Sequence, residues 1–517
     1  MRLSSTSNAN FNTKRQHAKL MKAKTFRFLP ALATACAAAL PLRAEVRPAA
    51  VFTDGAVLQA HRPVPVWGKA DAGERVTVSY GDVSASTVAA KDGSWRVALP
   101  SMDYVRKGRT LRVVGTNTVA FSDVLVGEVW LGIGQSNMEY PLDLCKGGLE
   151  IAKGGVLPTT VRYFHLPKDG DEKPRDLFGI PGGVMWRTYT AENFRENKRS
   201  SGLMALFAQR LVKALDVPIG VIGAAVGGAN LETWMSAAAA AEAGMTEDHA
   251  KFLKMVEGWH ANNLKRWENR PEREKNRPRP SVNYESRPHQ VFNAMIPPLA
   301  PYALKGIFYY QGEMNSGWQR YEKQFPYMVR HVRKAFEVTD QPFFIVQLPD
   351  YKERHWIKIR DIQRRMSETL PRSGLVVTID GNEMELHPRD KDRVADRMVG
   401  LALTDCYGRK LPSRSPAPIA AAWRRKTVVV TFKDVGAGLR LTDGETPRAF
   451  ELVGVDGRIL PAAAQVLKTD KVALAVPQGF NPVSVRYAWA PDPDVNLVNE
   501  AGLPATPFEL AVTPFAR

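Results

Sequence analysis

The stretch Val129–Leu142, VWLGIGQSNMEYPL, decides how the chain is read. From Val124 to Ile133 the residues are almost continuously apolar and include β-branched and aromatic types, the pattern of a strand buried on both faces. The run then ends in Gly134-Gln135-Ser136-Asn137, a set rich in hydrogen-bonding groups and poor in core material. Gly134 permits a sharp turn. In an open α/β sheet, ligands bind beyond the carboxyl ends of the strands, so Ser136 is expected at a crevice. The alternative for a lone serine in that place is a turn or helix cap.

Working outward, strand-like and helix-like segments alternate. SGLMALFAQRLVKAL, from Ser201, has helical spacing, and VPIGVIGAAVGG, from Val217, is a buried strand ending in glycines. WMSAAAAAEAGM reads as helix, ALKGIFYYQGE as strand, QRYEKQFPYMVRHVRKAF as helix, and QPFFIVQLP and GLVVTIDG as further strands. RDKDRVADRMVGLALTDCYG closes the series as a helix. This alternation predicts a parallel sheet with helices on its faces over residues 121–407, with an insertion at about 240–290. Residues 45–120 hold only short alternating strands separated by Gly, Asp and Pro turns (RPVPVWGKA, RVTVSYG, GSWRVALP, TLRVVGTN), which reads as a β-sandwich-like region. Strands return over residues 408–517 in KTVVVTF, AFELVGV, KVALAV and VSVRYAW, a second such region.

Composition bounds the rest. At 517 residues and 44% hydrophobic content the chain is expected to form several cores. The formal charge of +18 invites a nucleic-acid reading. However, eight of the 71 Lys and Arg residues precede Glu45, where no acid occurs, leaving 63 bases against 53 acids. Much of that surplus lies in Lys265–Arg287, KRWENRPEREKNRPRPSVNYESR, where glutamates interleave with arginines. This is read as a solvated insertion, with an anion-binding surface as the alternative and no nucleic-acid partner.

The basic N-terminus followed by apolar Phe28–Leu42 reads as a secretory signal over residues 1–44, cleaved after Ala44, with Met21 an alternative start. The apolar run is too short for a comfortable membrane span, so export to the periplasm or beyond is expected, with no integral membrane segment after cleavage. Cys145 and Cys406 would then remain, either paired or free. Neither a Cys motif pair nor a zinc-binding helix motif is present, so neither metal nor cofactor is expected. Oligomeric state is left open.

Four strand ends carry polar or glycine-rich clusters: Gly134–Asn137, Gly227–Asn230, Gln311–Asn315, and the segment Glu385-Leu386-His387-Pro388 after VVTID. Acyl transfer needs such a set. A serine needs a base to take its proton, and a histidine late in the domain can take it and return it to a leaving alcohol. The oxyanion needs donors, available from the N–H of Ser136, the N–H of Gly228, and the amide of Gln311 or Asn315. A carboxylate is expected to orient the histidine.

The order Ser, Gly, amide, His resembles the SGNH hydrolases, esterases with a flavodoxin-like fold, and lacks the GxSxG elbow of the α/β-hydrolases. More closely, GEVWLGIGQSNMEYPL, GGANLETWM, FNAMIPPLAPYALKGIFYYQGEMN and LHPRDKDRVADRM resemble the sialate O-acetylesterase family. VFTDGAVLQAHRPVPVWGKADAGERVTV and VRYAWAPDPDVNLVNEAGLPATPFEL resemble its flanking β-regions. The resemblance implies Ser136 as nucleophile, His387 as general base and acid, and Ser136, Gly228 and Gln311 as oxyanion donors. Met384 stands where the superfamily's acid would fall, so Glu385 is the first choice for the orienting carboxylate. Asp380 and Glu383 follow, then a Ser-His dyad.

Gln135, Asn137, Glu313, Asn315 and Arg360 are expected to bind substrate. Arg360 would meet the sialate carboxylate; the alternative is that it pairs with Asp361 and braces its helix. The resemblance thus implies an exported serine esterase acting on O-acetylated sialic acids through an acetyl-serine. Acetylxylan or another acetylated polysaccharide is the alternative substrate, and an inactive carbohydrate-binding protein the alternative of another class.

Overall fold

The computed structural model describes residues 45–271, 278–281, 283–381 and 384–514. The expected signal segment and Glu383 lie outside the described residues. Ala44–Arg517 forms one compact unit of mixed α/β character.

The apolar run that ends at Gly134 is the last part of a 17-residue strand, Thr118–Gly134 (β1), whose final eleven residues are all buried. It lies in the middle of a sheet with Val161–His165 (β2), Arg187–Thr188 (β3), Ile219–Ala225 (β4), Gly306–Tyr310 (β5), Phe343–Val346 (β6) and Ser373–Val376 (β7). The spatial order is β3-β2-β4-β1-β5-β6-β7. All pairings in that order are parallel except β2 with β3. Gly134 is level with Ala225 on one side and Tyr310 on the other, Tyr310 with Val346, and Val346 with Val376. Five strands therefore end on one rim, and each expected cluster follows one of these ends.

Three helices appear where apolar spacing placed them, Gly202–Leu215 (α2), Trp318–Ala335 (α4) and Asp392–Tyr407 (α6), and a further helix, Trp356–Thr369 (α5), stands between β6 and β7 where apolar spacing does not mark one. A short turn, Ser136–Glu139 (α1), follows β1 directly, and the insertion contains a 23-residue helix, Thr246–Glu268 (α3). The Ser201 hydroxyl starts α2 by accepting from Met204 N–H at 3.2 Å and donates to the Met138 carbonyl at 2.6 Å. That pair of bonds ties α2 to the turn carrying Ser136.

The strand β1 crosses the boundary expected at residue 120. Its first half pairs antiparallel with Val105–Val114, and it also pairs in parallel with Val57–Gln59. One hydrophobic core runs from Val46 to Ala402, so the N-terminal strands and the central sheet share their interior. The C-terminal strands form an eight-stranded sheet over a second core, which also takes in Val377 and Ile379 just after β7. Cys145 and Cys406 are free thiols.

Candidate active site

Gly134 makes the turn out of β1. Its φ is +137°, and a Cβ there would lie 2.1 Å from the Tyr310 carbonyl oxygen, so only glycine fits. The same carbonyl accepts from Gln135 N–H at 2.9 Å, which sets the direction of the chain entering α1. Ser136 emerges half-buried on the rim, and its Oγ lies 2.7 Å from Nε2 of His387. The two residues are 251 positions apart and meet because β1 and β7 run parallel. The imidazole stacks on Tyr140 at 5.8 Å between ring centroids. Burial first, then the charge of Lys391, holds His387 below the usual histidine pKa, and Glu139 pulls the other way. A neutral imidazole at hydrogen-bond distance from a hydroxyl is the arrangement a general base needs.

Of the expected orienting acids, Glu385 and Asp380 do not reach this imidazole, and Glu383 lies outside the described residues. Glu385 is exposed and makes no hydrogen bond or ion pair among the described residues. Asp380 is held by Arg397 in a two-pronged pair at 2.7 and 2.6 Å, and its backbone carbonyl accepts from Arg393 at 2.8 Å. Both assignments are corrected on that geometry: among the described residues, no carboxylate accepts from Nδ1 of His387.

Of the three expected oxyanion donors, Gln311 is spent elsewhere. The N–H groups of Ser136 and Gly228 have no acceptor among the described residues, and an added Cβ on Gly227 would come within 3.6 Å of Ser136 Cβ. The Gly227 N–H is taken by Glu139 Oε2 at 2.5 Å. Gln311, expected as a third donor, is fully buried, and its Nε2 lies on Gln135 Oε1, the Ala229 carbonyl and Asn315 Oδ1 at 3.2, 3.1 and 2.6 Å. Two amide hydrogens already shared among three acceptors cannot serve an oxyanion. Gln135 is turned by those bonds so that its own Nε2 is without an acceptor among the described residues.

Asn315, expected to touch substrate, is likewise buried: it donates to Glu232 Oε2 at 3.0 Å and accepts from Leu231 N–H at 3.0 Å. Asn137 is fully buried. Its Nδ2 donates to Glu313 Oε1 at 2.8 Å and to the Leu386 carbonyl at 3.0 Å, and its Oδ1 accepts from Lys391 Nζ at 2.7 Å. Glu313 is buried beneath it, and that burial raises its pKa against the opposing pull of Asn137 and Lys391. Asn137, Glu313 and Asn315 thus brace the rim from below rather than line it.

Arg360 is the clearest correction. It is completely buried, and its guanidinium donates to the carbonyls of Leu348, Pro349, Ala490 and Pro491. It neither faces Ser136 nor pairs with Asp361, which is bound to Arg364 and Arg365.

Sequence reasoning passed over Glu139, Tyr140 and Lys391. The signal was present in spacing: Glu139 lies three residues after Ser136 on the same turn, and Lys391 four residues after His387. Lys168, on the loop after β2, reaches Glu139 Oε1 at 3.4 Å and is 59% exposed, a second cation on this turn beside the buried Lys391.

A hydroxyl and a neutral imidazole in contact on the carboxyl rim of a mainly parallel sheet, beside two unspent backbone N–H groups, define a carboxylic ester hydrolase. The family model described as "Carbohydrate esterase, sialic acid-specific acetylesterase" matches residues 126–403. Sialate O-acetylesterases from Pongo abelii and Rattus norvegicus are 26% and 27% identical; each match spans 87% of this chain, and 89% and 91% of theirs. A crystal structure of a carbohydrate acetylesterase from Xanthomonas citri superposes with a TM-score of 0.76 at 30% identity, covering 90% of this chain and 99% of that one. The chain belongs to the carbohydrate esterase family of sialic acid-specific acetylesterases.

Proposed function

We propose that the protein is an exported serine esterase that removes acetyl groups from O-acetylated sialic acids through an acetyl-Ser136 intermediate. The 2.7 Å contact between Ser136 Oγ and His387 Nε2 carries this reading. His387 takes the hydroxyl proton as Oγ attacks the acetyl carbonyl. The N–H groups of Ser136 and Gly228 stabilise the oxyanion. His387 then protonates the departing sugar hydroxyl, and a water molecule activated by the same imidazole releases acetate. The frame for this is a flavodoxin-like SGNH domain over residues 121–407 between sandwich-like β-regions, supported by the parallel strand order. The charged, then apolar, N-terminal 44 residues support export.

A second reading, a general carbohydrate acetylesterase, is favoured by Arg360 being buried away from the crevice and by the similarity to the Xanthomonas citri protein. The deciding experiment measures acetate released by the purified protein from O-acetylated sialic acid and from acetylated xylan. Strong preference for the sialate is expected. Equal rates would replace the sialate reading with the general one, and no release from either would restore the inactive binding protein.

A further inference from the structure

Lys391 is 1% exposed and stands at the start of α6, four residues beyond His387. Its Nζ donates to Asn137 Oδ1 at 2.7 Å and lies 5.3 and 5.7 Å from the ring centroids of Tyr140 and Tyr310. We propose that Lys391 is a positioning residue of the hydrolytic reaction: through Asn137 and Tyr140 it fixes the loop that presents His387 to Ser136. This rests on the Ser136–His387 reading above.

Asn137 has two N–H bonds and one carbonyl to place, and all three go to groups around His387: Glu313, the Leu386 carbonyl and Lys391. With the ammonium on Oδ1, the amide has one orientation, and in that orientation it grips the carbonyl immediately before His387. Tyr140, whose face Lys391 also meets, stacks on the imidazole itself. A packing role would not need a charge, since burying an ammonium is costly and apolar replacements of buried charged groups are often neutral for stability.

Direct electrostatics would act in the opposite sense. Lys391 opposes the imidazolium that forms during the reaction. Of the other charged groups, Glu139 of α1 favours it, and Lys168 is paired to Glu139; Glu385 and Arg389 lie exposed on the histidine's own loop. A merely electrostatic Lys391 would therefore slow the enzyme, and its removal would raise kcat. A positioning Lys391 gives the reverse sign.

The test compares kcat, KM and the pH profile of Lys391→Met and of Glu313→Gln/Lys391→Met, which removes both buried charges and protects against misfolding from an unpaired carboxylate. Expected are a fall in plateau kcat of roughly 10²-fold in both, little change in KM for a small acetyl ester, and an acid limb displaced to higher pH as the imidazole becomes more basic. A plateau kcat at or above wild type in either folded variant overturns the proposal. Ser136→Ala on the same substrate separates the two layers: if it stays active, the nucleophile reading itself has failed, whereas an inactive Ser136→Ala beside a fast Lys391→Met sinks only the role of the lysine.

Discussion

Among the described residues, His387 has no carboxylate on its imidazole of the kind a serine hydrolase ordinarily uses. Among the described residues its support is a stacked ring, Tyr140, and a carbonyl gripped by Asn137 just before it. Glu385→Gln should accordingly change kcat by less than about threefold, since an exposed, unbonded side chain contributes little, and far less than the roughly 10⁴-fold typical of losing an orienting acid. Asp380→Asn should act differently. It breaks a two-pronged pair with Arg397, so thermal stability should fall while KM for a small ester stays near wild type. A large kcat loss in Glu385→Gln, measured on folded protein, would return that residue to the imidazole. The meeting of Ser136 and His387 was expected from the joint placement of four polar or glycine-rich clusters at strand ends, and the two side chains do lie in contact. Asn137, Gln311 and Glu313 have the chemistry of a binding site, and only the folded chain brings together the partners on which their donors and acceptors are spent.

At the scale of elements, the site is a property of how β1 ends. The strand buries eleven consecutive residues, stops at the one residue able to turn under the Tyr310 carbonyl, and passes at once into a four-residue helical turn. Gly134→Ala should destabilise the protein by about 3 kcal/mol or more, from the unfavourable φ together with a backbone contact that cannot relax without moving β5. Urea unfolding followed by fluorescence would measure this; a midpoint within error of wild type would mean the turn is not constrained as described. Much of the alternation of strand and helix was readable from apolar spacing, but the strand Val161–His165 and the helix Trp356–Thr369 were not. The length of β1 was not, because its first half, TVAFSDV, looks like another short edge strand, and nothing local shows that it continues into the central sheet.

For the whole molecule, Arg360 shows how distant segments share one structure. Its guanidinium joins the segment after β6 to the Ala490–Pro491 turn some 130 residues away, which no local pattern could announce; in sequence it is simply a cation near a rim. Arg360→Met leaves four carbonyls short of a donor and should cost on the order of 3 kcal/mol. It should reduce activity on sialate and neutral acetyl esters equally, if at all. A rise in KM confined to the sialate would instead make Arg360 a substrate ligand. The proposed activity depends on acyl transfer through Ser136. The most direct measurement is mass spectrometry of the protein quenched during turnover of an acetyl ester, with peptides mapped. The account predicts the mass of one acetyl group on the peptide containing Ser136, absent in Ser136→Ala, which should also release no acetate. Steady acetate release by folded Ser136→Ala, or an acetyl group on another residue that turns over at the catalytic rate, would contradict it.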